Sequence, residues 1–417
     1  MDAKSLPKHG LPPEAVLAVL EDSKAQDYDW REGVLPLYVY WHSDDAYRVS
    51  KKAYELFFTE NGMGKKAFPS ITQMERDVTD FALGLLGGGP GAGGSLTSGG
   101  TESIFQAVKG ARNRARTRVG TDRPRFNIVV PRSAHPAFAK AAQILDVDEI
   151  RVPIKDDFTV DVQAMEAAVT PNTIMLAGSA PGFPHGVFDD IPAIAALAWR
   201  NDIWMHVDAC VGGMLAPFLR LNGEPVPDFD LSVPGVTSLS VDLHKYGYAA
   251  KGASLILVSN EELKKHYRFD FNNWPRGDYT TDTFLGTRPA GPVASAWAVM
   301  RHLGIDGYRE GARTIAETKR ELIEGIEQIP GLQAIRPTDL SFLLYHSIDP
   351  EVDINAVADL MAERGWFVGR SVEPASIHLM LNPVHHKIIG RYLNDLGECV
   401  TRAREERLIG TMDTATY

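Results

Sequence analysis

From residue 70 the apolar positions fall at helical spacing. Met74, Val78, Phe81 and Leu85 share one face, and Ser70 with Gln73 forms a capping box. The pattern stops at Gly87-Gly88-Gly89-Pro90. Beyond it, short apolar runs alternate with helical stripes. Phe126–Val130, Thr173–Ala177, Trp204–Val207, Ser238–Val241 and Ser254–Val258 predict strands. Ser103–Arg118, Pro136–Leu145, Val162–Val169 and Ile191–Trp199 predict helices. Such alternation predicts an α/β fold, a mostly parallel sheet covered by helices on both faces. In these sheets ligands bind beyond the carboxyl ends of the strands, so the residues just after each strand carry the interest. After about residue 290 the texture changes. Long helical patterns at Val293–Leu303 and Tyr308–Gln328 lead to strands at Ser341–Tyr345 and Ser376–Leu381, and a helix runs over His385–Glu405. The expected division is an N-terminal segment, 1–60, a large domain, 61–290, and a smaller α+β C-terminal domain, 291–417.

The chain of 417 residues is too long for one compact core, in keeping with that division. Its net charge of −11 argues against nucleic acid or an anionic membrane as main partner. Cys210 and Cys399 are the only cysteines, so no disulfide framework is expected and a reducing compartment fits. Met1-Asp2-Ala3-Lys4 lacks the apolar run of a signal peptide, and no stretch is long and apolar enough for a membrane span. The expected location is cytoplasmic.

Four places offer chemistry. Gly87–Gly100 holds eight glycines and runs into Thr101-Glu102-Ser103 before a helix. Glycines let backbone N–H groups approach an anion, and a helix start adds positive charge; a flexible connection reads equally well. Asp208 ends an apolar strand, where a carboxylate can face a cation such as a protonated pyridine nitrogen; capping a turn is its plain alternative. Lys245 follows the next strand, within Asp242-Leu243-His244-Lys245-Tyr246-Gly247. A partly desolvated lysine there can form a Schiff base. His135 follows the strand Phe126–Val130, where its flat ring could stack on an aromatic cofactor. The run Lys109, Arg112, Arg114, Arg116 and Arg118 reads as a solvated helix face. His385-His386 has no partners at ligand spacing, and no metal is expected.

Taken together, Thr97–Ser103, Phe183-Pro184-His185-Gly186-Val187, His206–Gly213 and Asp242–Ser254 resemble the group II pyridoxal-phosphate decarboxylase family, and within it the sphingosine-1-phosphate lyase branch. The resemblance extends from about Pro36 onward. It implies a fold-type I enzyme with pyridoxal 5′-phosphate on Lys245, Asp208 against the pyridinium nitrogen and His135 stacked on the ring. It implies that Gly100, Thr101 and His244 bind the cofactor phosphate, with Ser179 and Thr287 also at the cofactor. Gly286-Thr287-Arg288-Pro289 resembles a loop that reaches the neighbouring subunit's cofactor, which implies a homodimer. Tyr40, Asn61 and Lys251 match positions at the substrate side, Lys251 holding a substrate phosphate. The likeness is to forms without the membrane anchor of eukaryotic members.

One departure bears on the substrate. The lyase branch has a histidine where this chain has Gly64, with Lys65 or Lys66 as substitute charges. Lys52–Phe58 also resembles archaeal tyrosine or aspartate decarboxylases. The first expectation is therefore a lyase that releases an aldehyde and phosphoethanolamine from a phosphorylated amino alcohol; an amino-acid decarboxylase is the alternative. A cofactor-binding protein without turnover is disfavoured by Lys245 and Asp208 occurring together.

Overall fold

The computed structural model describes residue 6 and residues 8–119 and 125–411. The reading of Met1–Lys4 lies outside the described residues. Seven strands form the main sheet: β1 (Gly93–Thr97), β2 (Asn127–Pro131), β3 (Asp148–Val152), β4 (Thr173–Ser179), β5 (Trp204–Asp208), β6 (Ser238–Asp242) and β7 (Ser254–Val258). They lie in the order β3-β2-β4-β5-β6-β7-β1. Only β7 runs against its neighbours. Every residue of β2, β4, β5, β6 and β7 is buried, as expected for strands covered on both faces. One face packs Ile104, Val108 and Phe138 from the helices Gly100–Val119 and Ala137–Leu145. The other packs Ile191 and Ile194 from the helix Ile191–Arg200.

Two strands escape the apolar pattern. β1 lies inside the glycine-rich stretch, so that stretch is not simply a loop. Gly94 sits so close to β7 that a Cβ would meet the Ile256 carbonyl oxygen at 3.0 Å and a Leu257 methyl at 2.7 Å. β3, with the sequence Asp-Glu-Ile-Arg-Val, is a charged edge strand, and charge on an edge blocks pairing with another chain.

The capping box at Ser70 is not formed. The helix runs Pro69–Leu85 with Pro69 in its first turn, and the Gln73 side chain donates to Asp77 instead. Its buried face is Ile71, Met74, Val78 and Ala82, while Phe81 is exposed beneath the Arg301 guanidinium. The basic run is not simply solvated either. Lys109 donates to the Tyr267 carbonyl, Arg112 to that of Leu145, and Arg114 and Arg118 both pair with Asp202.

Past the main sheet, β8 (Phe269–Phe271) and β9 (Tyr279–Thr281) form a hairpin. The two helices expected after residue 290 are continuous over Gly291–Glu327 except at Gly304, whose φ of 56° and ψ of −172° break the helical path. Four antiparallel strands follow: β10 (Leu332–Ala334), β11 (Phe342–Ser347), β12 (Gly369–Val372) and β13 (Ala375–Met380), in the order β10-β11-β13-β12. The helices Ile354–Glu363 and Ile389–Glu405 complete this smaller unit. Among the described residues, no group of three His, Cys, Asp or Glu side chains could hold a metal, and no helix is long and apolar enough to cross a membrane.

Candidate active site

β5 and β6 run parallel with His206 opposite Ser238 and Asp208 opposite Ser240. Their sequences, Trp-Met-His-Val-Asp and Ser-Leu-Ser-Val-Asp, place polar side chains on one face by the two-residue strand period, while Met205, Val207, Leu239 and Val241 enter the core. A buried polar row results. His206 Nδ1 lies 2.7 Å from Ser238 Oγ and its Nε2 lies 3.3 Å from Ser240 Oγ, which donates to Asp208 Oδ1 at 3.2 Å. The Cys210 N–H donates to the same carboxylate oxygen at 3.1 Å. Burial holds His206 down to about 4, so the ring is neutral and serves as a hydrogen-bonding support. Ser179, at the end of β4, pairs in register with Asp208.

The turn after β6 carries Lys245. Its Nζ lies 3.0 Å from Asp242 Oδ2, both side chains being largely buried, and His244 Nε2 lies 3.7 Å from the same oxygen. Burial works against the Lys245 ammonium, but Asp242 outweighs it and drives the pKa well above the usual lysine range. Burial likewise opposes the Asp242 carboxylate, which Lys245 and His244 together hold below its ordinary value. Asp242 Oδ1 and His244 Nδ1 are buried without a hydrogen-bond partner. Directly opposite is the start of the helix Gly100–Val119. A Cβ on Gly100 would meet Cys210 Sγ at 2.5 Å and the Asp242 carboxylate at 3.1 Å, and one on Gly99 would come within 3.8 Å of the His244 ring. At residue 100 only glycine allows this approach.

His135 lies close enough to Asp208, Lys245 and Asp242 to feel their charges. Burial lowers its pKa, Asp208 partly opposing. Its Nδ1 accepts the Ala137 N–H at 3.1 Å. From His135 a cleft of about 1010 Å³ opens between the main sheet and the β12–β13 hairpin, walled by Ile154, Phe158, Phe183, Pro184, Val372 and Pro374. Its cations are matched within the chain: Arg132 with Glu373, Arg151 with Glu149, Lys155 with Asp157 and Arg370 with Asp359.

Lys251 approaches from another side. Its ammonium donates to the carbonyls of His244 (3.2 Å) and Tyr38 (3.1 Å) and stands 4.8 Å above the Tyr40 ring. Desolvation of the ammonium and the nearby Lys245 charge lower its pKa to about 8, although much of the side chain reaches solvent. Tyr40 packs edge-on against Tyr246, whose hydroxyl is anchored on Ser341 Oγ and the Leu381 carbonyl. Tyr40 and Lys251 share a cavity of about 470 Å³ with Trp41, His42 and Tyr54.

The conserved domain described as "Pyridoxal-dependent decarboxylase" matches residues 56–335. The chain belongs to that family. A sphingosine-1-phosphate lyase of Oryza sativa subsp. japonica is 40% identical over 403 residues, covering 95% of this chain and 74% of the relative. The structure of a sphingosine-1-phosphate lyase from Burkholderia pseudomallei superposes with a TM-score of 0.91 at 34% identity, covering 97% of this chain and 94% of that one. A probable L-aspartate decarboxylase of Pyrococcus abyssi is 32% identical, covering 94% of this chain and 98% of the relative. The architecture is that of fold-type I pyridoxal-phosphate enzymes, as the sequence led one to expect.

The family's cofactor is pyridoxal 5′-phosphate, and the residues around Lys245 fit it. A buried amine, a strand-end carboxylate, a flat imidazole and a glycine-lined helix start converge there, with the two orphaned polar atoms of Asp242 and His244 facing the same turn. Asn61 and Thr287, both expected at the site, belong to a local cluster around the 61–64 and 286–289 loops. Asn61 Oδ1 accepts the N–H groups of Met63 and Gly64, and its backbone bridges to Pro289. Thr287 is exposed beside it, next to Arg288, which pairs with Glu75. This cluster is built on its own members rather than on the strand ends. Thr101, in the first helical turn, is exposed. Sequence reading assigned no role to Asp242, Ser240 or His206. The alternation along β5 and β6 carried the signal, since it places all three on the face that bears Asp208.

Proposed function

We propose that the protein is a pyridoxal-phosphate-dependent aldehyde-lyase that cleaves a phosphorylated, long-chain amino alcohol of the sphingosine-1-phosphate kind to an aldehyde and phosphoethanolamine. The observation that carries the reading is Lys251, a cation of lowered pKa held against the residue that precedes Lys245. Bound cofactor supplies an electron sink for the bond that breaks. Lys245 would hold its aldehyde. Asp208, oriented by Ser240 and the Cys210 N–H, would face its ring nitrogen, and His135 would stack on the ring. The backbone at Gly100 and Thr101, together with His244, would bind its phosphate, and Ser179 would line the strand-end floor. On the substrate, Lys251 binds the phosphate and Tyr40 handles the proton of the hydroxyl next to the scissile bond. The roomy cleft beyond His135, with its cations already matched, suits an apolar chain.

Gly64 favours the decarboxylase alternative, because a family histidine is missing there. A Cβ at residue 64 would press on the Phe68 ring at 3.1 Å, so a side chain there requires that ring to shift. Lys65 lines a separate cavity with Glu75 and Arg288. The phosphate contact therefore rests on Lys251. We also propose a cytoplasmic homodimer in which Thr287 and Asn61 complete the partner's site; two buried, unpaired cysteines suit a reducing compartment. The three-part division at residues 60 and 290 is likewise a proposal, supported by the helix that starts at Gly291.

The decisive assay offers the enzyme sphingosine phosphate, short phosphorylated amino alcohols and the common amino acids, and scores aldehyde against carbon dioxide. Aldehyde from the long-chain phosphate is the expected result. Carbon dioxide from an amino acid, with no aldehyde, would reverse the assignment.

A further inference from the structure

Glu102 stands in the first turn of the helix Gly100–Val119, buried, with no role in the site as described. Both of its oxygens are committed. Oε2 accepts the Ser98 N–H at 2.8 Å and the Ser98 hydroxyl at 2.6 Å. Oε1 accepts the N–H of Phe284 at 2.7 Å, from a segment 182 residues away. Ser98 leads directly into Gly99-Gly100-Thr101. Phe284 lies three residues before Thr287, and its ring packs edge-on against Phe105 at 5.2 Å, one turn along the helix from Glu102. All three donors are N–H or O–H groups, so the site demands a side chain with two acceptors. A carboxylate meets this; an amide would turn an NH2 toward one of the donors.

We propose that Glu102 is a positioning residue that couples filling of the phosphate turn to order in the 283–288 segment. The inference rests on the reading that Gly100 and Thr101 receive the cofactor phosphate and that Thr287 serves the partner's site. When an anion draws the N–H groups of residues 99–101 toward it, the turn that holds Ser98 is fixed. Ser98 then fixes the Glu102 carboxylate, and the carboxylate holds the Phe284 N–H. Cofactor bound in one protomer would in this way set the loop that the same protomer offers to its neighbour.

The test is amide hydrogen exchange in the 283–288 segment of the full-length protein, with and without pyridoxal phosphate. In the wild type the cofactor should slow exchange there. Pyridoxal lacking the phosphate should still attach to Lys245 but leave the segment unprotected. In Glu102→Gln, borohydride should still fix pyridoxal phosphate on Lys245, while the added protection falls by about ten- to a hundredfold, the size of one hydrogen bond to a charged group. Phe284→Ala keeps the N–H and loses the ring, so it should retain the protection. Ser98→Ala, a milder change, should lose part of it, and it serves as the test if Glu102→Gln fails to fold. Equal protection in wild type and Glu102→Gln, protection by pyridoxal alone, or loss confined to Phe284→Ala would each overturn the proposal. Failure of the borohydride label on Lys245 in the wild type would instead strike the reading of the site itself.

Discussion

Lys251 shows how much a single side chain can decide. An ammonium held over an aromatic ring and desolvated beside Lys245 keeps its proton only up to about pH 8. A phosphate group needs that proton. In the free enzyme, kcat/KM for a phosphorylated amino alcohol should therefore fall as pH rises through about 8, since the pH dependence of kcat/KM reports the free enzyme's groups. Lys251→Ala should flatten this limb and raise KM about ten- to a hundredfold, the worth of one charge-assisted contact, with cofactor affinity unchanged. A wild-type profile flat between pH 7 and 9, or equal KM values in the two enzymes, would place the phosphate elsewhere. At this scale the sequence was informative about identity and mute about environment. Lys245 and Asp208 stood out because each follows an apolar strand. That Asp242 would be the group to compensate Lys245 depended on a turn bringing residues 242 and 245 face to face in a place closed to water.

Among the elements, the helix Gly291–Glu327 shows local chemistry obeyed. The apolar spacing breaks between Leu303 and Tyr308, and the chain bends there, at Gly304. Its backbone angles belong to a region that essentially only glycine enters, and a Cβ would meet open space, so any cost of substitution is backbone strain alone. Gly304→Ala should lower stability by about 1–3 kcal/mol in urea unfolding, with turnover per folded molecule little changed. An unshifted midpoint would mean that the helix straightens at no cost. Other elements were illegible for definite reasons. β1 is made partly of glycine and so presents no apolar alternation, yet glycine is what lets it lie against β7. β3 carries charge because it is an edge. The box at Ser70 lost to Pro69, whose fixed φ starts the helix two residues sooner, with Phe68 at the cap position.

For the molecule as a whole, the proposed dimer makes a prediction that no single chain could satisfy. If Thr287 serves the neighbour's cofactor, then Lys245→Ala and a disabling change at Thr287 are each inactive as pure dimers. Refolded together at equal amounts, they should recover about a quarter of wild-type activity, because half the dimers are mixed and each mixed dimer has one intact site of two. Mixtures as inactive as the parents would show that Thr287 acts within its own chain or not at all.

Patterns along the chain were enough for the alternation of the central strands and helices, the sheet class, and the places of Asp208 at the end of one strand and Lys245 just past the next. Those follow from periodicities of two and 3.6 residues and from a nearly contiguous motif, and both are properties of neighbours along the chain. The fold's long-range packing decided the rest: the polar row from His206 through Ser240 to Asp208, the Glu102 bridge to Phe284, the cleft between the sheet and the β12–β13 hairpin, and the pairing of Asn61 with Pro289. Each of these joins residues tens to hundreds of positions apart. Their meeting is set by how buried faces pack and which polar atoms must find partners there, and no local pattern records it.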